Sequence, residues 1–414
     1  MLEWFLRLTK RRLLLLSLVG LTFYTCYTYH PKLISHLETF DLDLVKTNLT
    51  ATKSIESEVP IIVHWTEFFH HNHISEFIRH FPHCKHKCEH TEDRSLISKA
   101  RAIVFHARHT NLSDLPPERS DQLRVFFTRE GPNQSYFLEG RADDLRADYF
   151  NATLTYRTAS TMFLPYGYFR TLDGTETEKQ KWSQEEIDEK LKKKTKLAVT
   201  AVSHCDTWSK RESYLNELHK HMNLTSIGRC SQNMNCKSTE CLSRVLDDHF
   251  FYFAFENAVC PEYITEKFFH LNELIVPVTL TRAVVPSIFP AESYVAASDF
   301  ESPKALAEYL QKTASNLTEY RRFFEWTKTH RRVPFEYWHA EEGCQLCEAI
   351  YRQHQNVVPD FRRFFDSSIC GKGFAKRLVE ASDSKEERES LKKEEERLSE
   401  ITRAEANDRP WYFN

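Results

Sequence analysis

The sequence lacks a strong excess of charge of either sign. Its 414 residues contain 56 Lys and Arg against 59 Asp and Glu, so the formal net charge is −3. Proteins whose general partner is nucleic acid usually carry a strongly basic domain, and no such domain stands out here. No internal repeat is evident either. Glycine is scarce, with nine residues, although the chain is long enough for two domains of ordinary size.

A small-residue cleavage site is missing after the apolar run near the N-terminus. Residues 13–29 are almost entirely apolar or aromatic and follow a basic stretch that includes Arg11 and Arg12. As a helix this run would be about 26 Å long, a little short of a typical hydrocarbon core. Basic residues before it and aromatic residues at its far end predict a signal anchor, with a cytoplasmic tail at 1–12 and a luminal bulk. A cleaved secretory signal is the alternative, and both interpretations place the protein in the secretory pathway.

Cysteines and glycosylation sequons agree with that compartment. Six Asn-x-Ser/Thr sequons predict N-glycosylation, and they begin at Asn48, Asn111, Asn133, Asn151, Asn223 and Asn316. Of the eleven cysteines, Cys26 lies in the predicted span, which leaves an even ten outside it. An even number suits disulfide bonding in an oxidising lumen. The sequence therefore predicts a single-pass, glycosylated protein.

Strand-like runs recur through the globular part of the chain, which follows a predicted stem at 30–58. Runs at 59–65, 102–105 and 123–127 place a first α/β domain at 59–170. In a second domain, at 171–355, strands are predicted at 196–202, 224–227, 250–255 and 276–280, with helices at 210–221 and 265–274. Strands that alternate with helices predict βαβ units and parallel sheets. The remaining residues, 356–414, are a charged extension that we interpret as a solvated helix or a disordered tail.

Two cations occupy equivalent positions in the second domain. Lys267 follows the predicted strand 250–255 at a predicted helix start, and Arg211 does the same after the strand 196–202. Helix N-termini present unpaired N–H groups, and Arg and Lys both bind phosphate oxygens. Cations in that place would stabilise the charge that a pyrophosphate gains as it leaves a sugar. The pattern therefore predicts a site for a nucleoside-diphosphate sugar.

Several segments, in order, resemble the α-1,3-fucosyltransferases of glycosyltransferase family 10. Residues 251–267 are similar to the family's Phe-x-x-x-Phe-Glu-Asn…Tyr-(Ile/Val)-Thr-Glu-Lys motif, with the expected spacing from Asn257 to Lys267. Further similar segments lie at 155–157, 165–168, 203–218, 299–303 and 306–310. The resemblance covers roughly residues 60–350. It implies two Rossmann-like domains of the GT-B type that face each other across a cleft.

The resemblance also implies the donor and the residues that hold it. The donor would be GDP-fucose, with Lys267 and Arg211 at the diphosphate and Glu266 at the ribose. Asn257 and Tyr263 would line the donor site. We expect no tightly bound cofactor. No Asp-x-Asp pair ends a predicted strand, since Asp41-Leu42-Asp43 lies in the stem, so a divalent cation (Mn²⁺ or Mg²⁺) would at most stimulate the reaction.

A single general base is enough for this chemistry. Transfer from β-linked GDP-fucose to an α-linkage inverts the anomeric centre, so one displacement suffices, and the base takes the proton of the attacking hydroxyl. Glu130 ends a predicted strand of the first domain and matches the family's strand-end Glu. We therefore predict that Glu130 is the base and that it faces the donor from the other domain.

Histidine and cysteine are concentrated between residues 70 and 90, and they allow two interpretations. The cluster consists of His70, His71, His73, His80, His83, Cys84, His86, Cys88 and His90. Together with Cys344 and Cys347, its thiols could bind zinc, but disulfides are favoured in the lumen. The resemblance implies that Cys84 and Cys88 pair with Cys344 and Cys347. The sequence does not reveal how Cys205, Cys230, Cys236, Cys241 and Cys260 are connected.

The sequence departs from the family pattern mainly where glycine is expected. Around the strand 276–278, Leu274 and Thr281 stand where relatives usually carry glycine, and Ala159 and Thr161 replace common aspartates. Bulkier residues at glycine positions could reshape a sugar pocket. The acceptor is expected to be N-acetylglucosamine, in an N-glycan core or in antennal Lewis-type units, and the enzyme a type II Golgi membrane protein. Another nucleotide sugar and a glycan-binding pseudoenzyme are the alternatives, and the oligomeric state cannot be inferred.

Overall fold

A computed structural model describes residues 59–68, 84–134, 145–175, 181–231, 236, 238–334, 339–352 and 360–407. The predicted tail, membrane anchor and stem, the sequon at Asn48 and the histidines from His70 to His83 lie outside these residues. Within the described ranges, no helix is both long and apolar enough to cross a membrane.

The described residues contain thirteen β-strands and nine α-helices. The strands are β1 (Ile61–His64), β2 (Glu89–Thr91), β3 (Ala100–His106), β4 (Leu123–Phe127), β5 (Ala152–Thr155), β6 (Met162–Phe163), β7 (Gly167–Thr171), β8 (Lys196–Ala201), β9 (Leu224–Ile227), β10 (His249–Phe253), β11 (Val276–Thr279), β12 (Val295–Ala296) and β13 (His330–Pro334). The helices are α1 (Gln184–Lys192), α2 (Arg211–Leu218), α3 (Thr239–Asp248), α4 (Pro303–Ala314), α5 (Leu317–Arg321), α6 (His339–Tyr351), α7 (Phe361–Phe364), α8 (Phe374–Glu380) and α9 (Lys385–Asn407).

The first large sheet is parallel and has the strand order β2-β1-β3-β4-β5-β6. Its central strands are apolar on both faces, as helix-covered parallel strands usually are: every residue of β3 except Arg101 is buried. The carboxyl end of β4 leads directly to Glu130. The predicted base therefore lies just beyond the edge of the sheet where parallel α/β folds bind ligands.

The second large sheet is also parallel, with the order β12-β11-β10-β8-β9. The chain runs from β8 outward to β9 and then returns to β10 on the other side of β8. Strand order therefore reverses between β8 and β10. Ligands of open α/β sheets bind in the crevice outside such a reversal, and the loops after β8 and β10 are the two that carry Arg211 and Lys267.

All seven predicted strands are confirmed, but the helix predicted at 265–274 is wrong. That segment forms a turn followed by a 3-10 helix at Phe268–Glu273. The side chains of Phe268 and Phe269 are both buried, and each ring packs against the ring of Phe289. Lys267 thus precedes a short 3-10 helix, and the argument from an α-helix N-terminus does not hold there.

Leu274, which ends this segment, has an unusual backbone conformation. Its φ of 49° lies in the left-handed region that glycine favours. Its side chain is fully buried in the main core, so apolar burial offsets the backbone strain. The predicted departure from glycine therefore has a structural consequence at this position.

Elements on either side of the predicted domain boundary at 170/171 pack together. Strands β7 and β13 form an antiparallel pair, although the prediction assigns them to different domains. Helix α6 packs through Leu346 and Ile350 on the core of the first sheet, although it falls in the predicted second domain. The described residues from Val59 onward form one compact unit, and the division into two domains across a cleft stays a prediction.

The charged extension is helical but not simply solvated. Helix α9 buries Leu391, Leu398 and Thr402 along one side, and the Thr402 hydroxyl donates to the Ala283 carbonyl at 2.9 Å. Glu395 accepts a hydrogen bond from Thr281, which follows β11. A few apolar residues at helical spacing are thus enough to dock this charged helix. Because helix α9 is formed and packed, the interpretation of this part of the extension as a disordered tail is wrong.

Disulfides pair all ten cysteines outside the predicted span. The structure joins Cys84 to Cys344 and Cys88 to Cys347, as the resemblance implied, so these sulfurs are not free thiolates for zinc. The remaining pairs are Cys205–Cys230, Cys236–Cys241 and Cys260–Cys370. Among the described residues, no group of three or more His, Cys, Asp or Glu side chains could hold a metal ion.

The predicted glycosylation sites differ in exposure. Asn111, Asn223 and Asn316 are exposed, and Asn151 is half-buried. Asn133 is buried, with 4% of its surface accessible. A glycan on a buried amide would have no room, so the prediction for Asn133 does not fit the fold.

Candidate active site

Two loops at the reversal point of the second sheet carry most of the predicted donor residues. One runs from β8 to α2, and the other runs from β10 to the 3-10 helix at Phe268–Glu273. The loops are joined directly, because the Ser209 N–H donates to the Asn257 carbonyl at 2.9 Å and the Ser209 hydroxyl donates to the Glu256 carbonyl at 2.7 Å. Arg211 and Lys267 therefore belong to one constellation.

Arg211 begins helix α2 directly after Lys210, whose φ of 56° turns the chain sharply into the helix. The Arg211 side chain is buried and donates to the Phe255 carbonyl at 2.6 Å and to the His204 carbonyl at 3.3 Å. Its Nε is buried and has no partner among the residues that the structure describes. A guanidinium has five N–H donors, so the site holds Arg211 in place and leaves donors over for an anion.

Lys267 lies between two carboxylates of different exposure. Its Nζ is 3.1 Å from Glu256, whose side chain is 7% exposed, and 3.0 Å from Glu266, whose side chain is 60% exposed. Burial would lower the pKa of Lys267, but the charges of Glu256 and Glu266 outweigh it and raise that pKa. Lys267 is therefore a permanent cation, and of its two partners only Glu266 extends into solvent.

Glu256 is a site residue that the sequence reasoning missed. Its carboxylate accepts hydrogen bonds from the Thr265 N–H and hydroxyl, both at 2.8 Å. Burial raises the pKa of Glu256, although the Lys267 charge opposes the shift. It thus anchors the segment that carries Lys267. Its position in the sequence could have indicated a role, because Glu256 and Asn257 together follow the predicted strand 250–255. Only Asn257 was assigned a role there.

Glu266 and Asn257 are two further residues that were predicted to hold the donor. Partial desolvation would raise the pKa of Glu266, but the charge and hydrogen bond of Lys267 outweigh it and lower that pKa, so Glu266 is an exposed carboxylate able to accept from ribose hydroxyls. The side-chain oxygen of Asn257 is buried and has no hydrogen-bond partner among the described residues. An orphaned acceptor is costly unless a ligand supplies the donor.

Tyr263 connects the loop after β10, which also carries Lys267, to the predicted base. Its hydroxyl donates to Glu130 Oε2 at 3.0 Å. Burial, together with the Glu130 charge, raises the pKa of Tyr263 well above its usual value, so the phenol keeps the proton that it donates. Within the described part of the chain, Glu130 Oε1 accepts no hydrogen bond. One oxygen of Glu130 is therefore held in position while the other remains able to accept a proton.

A second buried carboxylate, Glu262, joins the same two regions and was also missed. It accepts from the Thr158 N–H and hydroxyl, each at 2.7 Å. Burial raises the pKa of Glu262 to about 7, against the opposing effect of the Thr158 hydrogen bonds. Its sequence neighbourhood gave no signal, because its partner lies 104 residues away.

The geometry combines a proton acceptor with a cationic region on one connected set of loops. Glu130 can take a proton, while Arg211 and Lys267 can stabilise negative charge that develops on a leaving phosphate. All six predicted site residues, Glu130, Arg211, Asn257, Tyr263, Glu266 and Lys267, lie on these loops or in contact with them. An inverting displacement needs these two functions and no covalent intermediate.

Comparison with known proteins places the chain in a family. Residues 191–364 match the C-terminal region described as glycosyltransferase family 10 (fucosyltransferase), and residues 57–167 match the fucosyltransferase N-terminal region. The chain belongs to glycosyltransferase family 10. Residues 365–407, which include Cys370 and helix α9, lie beyond the family match.

Curated relatives in the family are named as α-1,3-fucosyltransferases. The chain is 31% identical to alpha-(1,3)-fucosyltransferase C of Drosophila melanogaster, over 70% of this chain and 73% of that protein. It is 32% identical to the human 4-galactosyl-N-acetylglucosaminide 3-alpha-L-fucosyltransferase FUT6, over 63% and 70% respectively. It is 30% identical to alpha-(1,3)-fucosyltransferase fut-1 of Caenorhabditis elegans, over 66% of this chain and 62% of that protein.

A solved structure of an α1,3-fucosyltransferase with GDP-fucose is also similar. It shares 13% identity with this chain, covers 73% of this chain and 93% of that one, and has a TM-score of 0.42. Such similarity is too low to support an argument about the site, so the family assignment rests on the sequence matches.

Proposed function

We propose that this family 10 member transfers L-fucose from GDP-β-L-fucose to the 3-hydroxyl of N-acetylglucosamine in glycoprotein glycans, with inversion to an α-1,3 linkage. The observation that carries the proposal is the hydrogen bond between Tyr263 and Glu130. It brings a carboxylate from the first sheet to the loop whose other residues, Glu266 and Lys267, suit a nucleotide sugar.

Glu130 performs the proton transfer in this mechanism. The free carboxylate oxygen of Glu130 accepts the proton of the acceptor hydroxyl. At the same time, the hydroxyl oxygen of the acceptor attacks the anomeric carbon of fucose. The bond from that carbon to the β-phosphate oxygen breaks on the opposite face, and GDP leaves with the electron pair. Tyr263 keeps the carboxylate oriented throughout, and no protein–sugar bond forms.

Lys267 and Arg211 act on the leaving group. The charge on the β-phosphate grows as the bond breaks, so fixed cations there stabilise the transition state more than the ground state. Donor binding requires Glu266 to turn away from Lys267 toward the ribose, because a carboxylate beside the diphosphate would oppose it. Glu256 stays buried and keeps Lys267 at the site.

Glu130→Gln tests the role of the base. The amide keeps the shape of the side chain but cannot take a proton, so we expect kcat to fall by about 10²- to 10⁴-fold. The GDP dissociation constant, measured by calorimetry, should change little. Glu301→Gln, an exposed carboxylate ahead of helix α4, is the matched control and should retain full activity. Full activity in Glu130→Gln would rule out this assignment.

We also propose that the enzyme is a single-pass type II protein of the Golgi membrane, anchored by residues 13–29. The disulfide pairs and the exposed sequons at Asn111, Asn223 and Asn316 support a luminal body. Protease protection in sealed Golgi vesicles tests the orientation. Residues after the anchor should be protected from the protease. Digestion of these residues in intact vesicles would contradict the proposed orientation.

A further inference from the structure

We propose that residues 360–407, which we call the C-terminal brace, hold Glu130 in a fixed position relative to the loops after β8 and β10, which we call the donor loops. The Cys260–Cys370 disulfide is the main link between the brace and these loops. The brace would make Cys260 and Cys370 positioning residues for transfer, without any contact with the sugar. The proposal rests on the proposed function for its kinetic consequence, but the bracing itself can be measured independently.

The brace is joined covalently to the loop that carries Tyr263. Cys370 forms a disulfide with Cys260, three residues before Tyr263. Next to it, the Gly371 N–H donates to the Val259 carbonyl at 2.7 Å, which makes an isolated antiparallel bridge. The two links are adjacent in both segments, so they fix the direction of the loop as well as its distance from the brace.

The same stretch of the brace also pairs with the loop that leads to Arg211. The Gly373 N–H donates to the Trp208 carbonyl and the Ala375 N–H to the Ser209 carbonyl, both at 2.9 Å. The Lys372 ammonium lies 5.1 Å from the centre of the Trp208 ring. Five residues between Cys370 and Ala375 thus contact the loops after β8 and β10.

The first part of the brace packs against the strand that ends near the base. The rings of Phe361 and Phe365 lie 6.1 and 5.1 Å from that of Phe126, in β4. The Phe361 N–H donates to the Ala147 carbonyl at 3.3 Å, and Arg157 donates to the Phe364 carbonyl. The brace therefore spans from the first sheet to the loops of the second.

The disulfide itself lies beside the base. Gly131 follows Glu130, and a Cβ atom placed on it would be 3.5 Å from the Cys260 sulfur, an ordinary van der Waals distance. The sulfur is fully buried. A shift of Cys260 therefore reaches Glu130 through Tyr263, three residues further along the loop, whose hydroxyl donates to the carboxylate.

Helix α9 keeps the brace in place. Arg377 pairs with Glu387 at 2.5 Å and also pairs with Glu394, which joins α8 to α9. Leu398 is buried in the main core. Because misplacement of reacting groups by about 1 Å can cost about 10²-fold in rate, a brace that fixes Glu130 against the donor has a direct kinetic consequence.

The test compares two disulfide deletions in the whole luminal protein. Cys260→Ala/Cys370→Ala removes the link, and Cys236→Ala/Cys241→Ala removes a short-range disulfide at the start of α3 as the matched control. We expect the first variant to lose about tenfold or more in kcat, with little change in the GDP dissociation constant, and the control to match wild type. A lowered melting temperature with unchanged kcat would mean a purely structural disulfide and would overturn the proposal.

A second variant and a second measurement cover the other outcomes. If the double variant fails to fold, Phe365→Leu, which loosens the packing on Phe126, should lower kcat with GDP binding retained, and unchanged kcat would count against the brace. Amide hydrogen exchange does not depend on the donor. Exchange in 126–131 and 256–268 should be faster in Cys260→Ala/Cys370→Ala than in the control. If wild type transfers no fucose, the proposed function fails, and this exchange result alone decides the brace.

Discussion

At the residue scale, the charge of Lys267 is shared between a buried carboxylate and an exposed one. Glu256 cannot leave without breaking its hydrogen bonds to Thr265, whereas Glu266 can turn into solvent. In the proposed mechanism, an incoming diphosphate can therefore replace Glu266 but not Glu256. The site thus has a cation that is fixed in place before the donor binds, which reduces the cost of organising it in the transition state.

Lys267→Met should remove that stabilisation. We expect kcat/KM for GDP-fucose to fall by about 10²-fold, as for loss of a preorganised electrostatic contact, and the GDP dissociation constant to rise. Lys210→Met is the control, because Lys210 is a lysine of the neighbouring loop that pairs with the exposed Asp206. Its kcat/KM should stay within about twofold of wild type, as for other exposed ion pairs. Steady-state kinetics at 25 °C distinguish the two, and equal losses would contradict the role of Lys267.

Glu262 should make stability depend on pH in a defined direction. Its pKa rises from 4.5 in the unfolded chain to about 7 in the fold, so the folded state binds the proton more tightly. The contribution is fully present below pH 4.5 and is lost as the pH rises through about 7. It amounts to on the order of 3 kcal/mol.

Glu262→Gln is the test, since the amide can keep both contacts with Thr158 and carries no charge. Urea unfolding at pH 5 and pH 7.5 gives the free energy of unfolding of each protein. The wild type should lose more of it between these pH values than the variant does. The same loss in both proteins would show that Glu262 is not the titrating group.

The sequence predicted where the candidate site residues lie in the fold better than it predicted which residues they contact. Glu130, Arg211 and Lys267 follow strands of a parallel fold, and the carboxyl ends of such strands meet at one edge of each sheet. Glu262 and Cys260 were out of reach, because their partners lie 104 and 110 residues away in sequence. Local patterns contain no information about which distant residue a loop will meet.

At the scale of elements, hydrophobic runs predicted strands reliably where both faces of the strand are buried. The strand predicted at 123–127 matches β4 at both ends. The segment after Lys267 was harder, since Phe268 and Phe269 both pack on Phe289, a tertiary contact that the sequence pattern does not show. For the region of helix α9, a solvated helix was one of two predictions, beside a disordered tail. Its three buried positions were too sparse to predict that the helix packs on the rest of the protein.

Leu398→Ala tests whether α9 is docked. Leu398 is fully buried, so its truncation should lower the free energy of unfolding by about 2–5 kcal/mol. Lys392→Ala, on the exposed side of the same helix, should change it by less than about 0.5 kcal/mol. Equal effects in urea unfolding would show that the helix is not packed on the body of the protein.

At the scale of the whole molecule, the proposed mechanism uses the two large sheets for different parts of one reaction. The first sheet ends near the proton acceptor, and the second ends at the loops that suit the donor. The contacts that join the two sets of loops include a part-buried hydrogen bond from Tyr263 to Glu130 and a buried one from Thr158 to Glu262. The acceptor has no comparable set of predicted residues, because the sequence motifs describe the donor side.

The most direct test of the central claim is the product of the reaction. Purified luminal protein is incubated with radiolabelled GDP-fucose, GDP-mannose or UDP-galactose and an array of N-acetylglucosamine-containing glycans, and NMR determines the linkage formed. We expect transfer from GDP-fucose alone, with an α-linked fucose on the 3-hydroxyl of N-acetylglucosamine. Transfer from another donor, or GDP binding without transfer to any acceptor, would contradict the account.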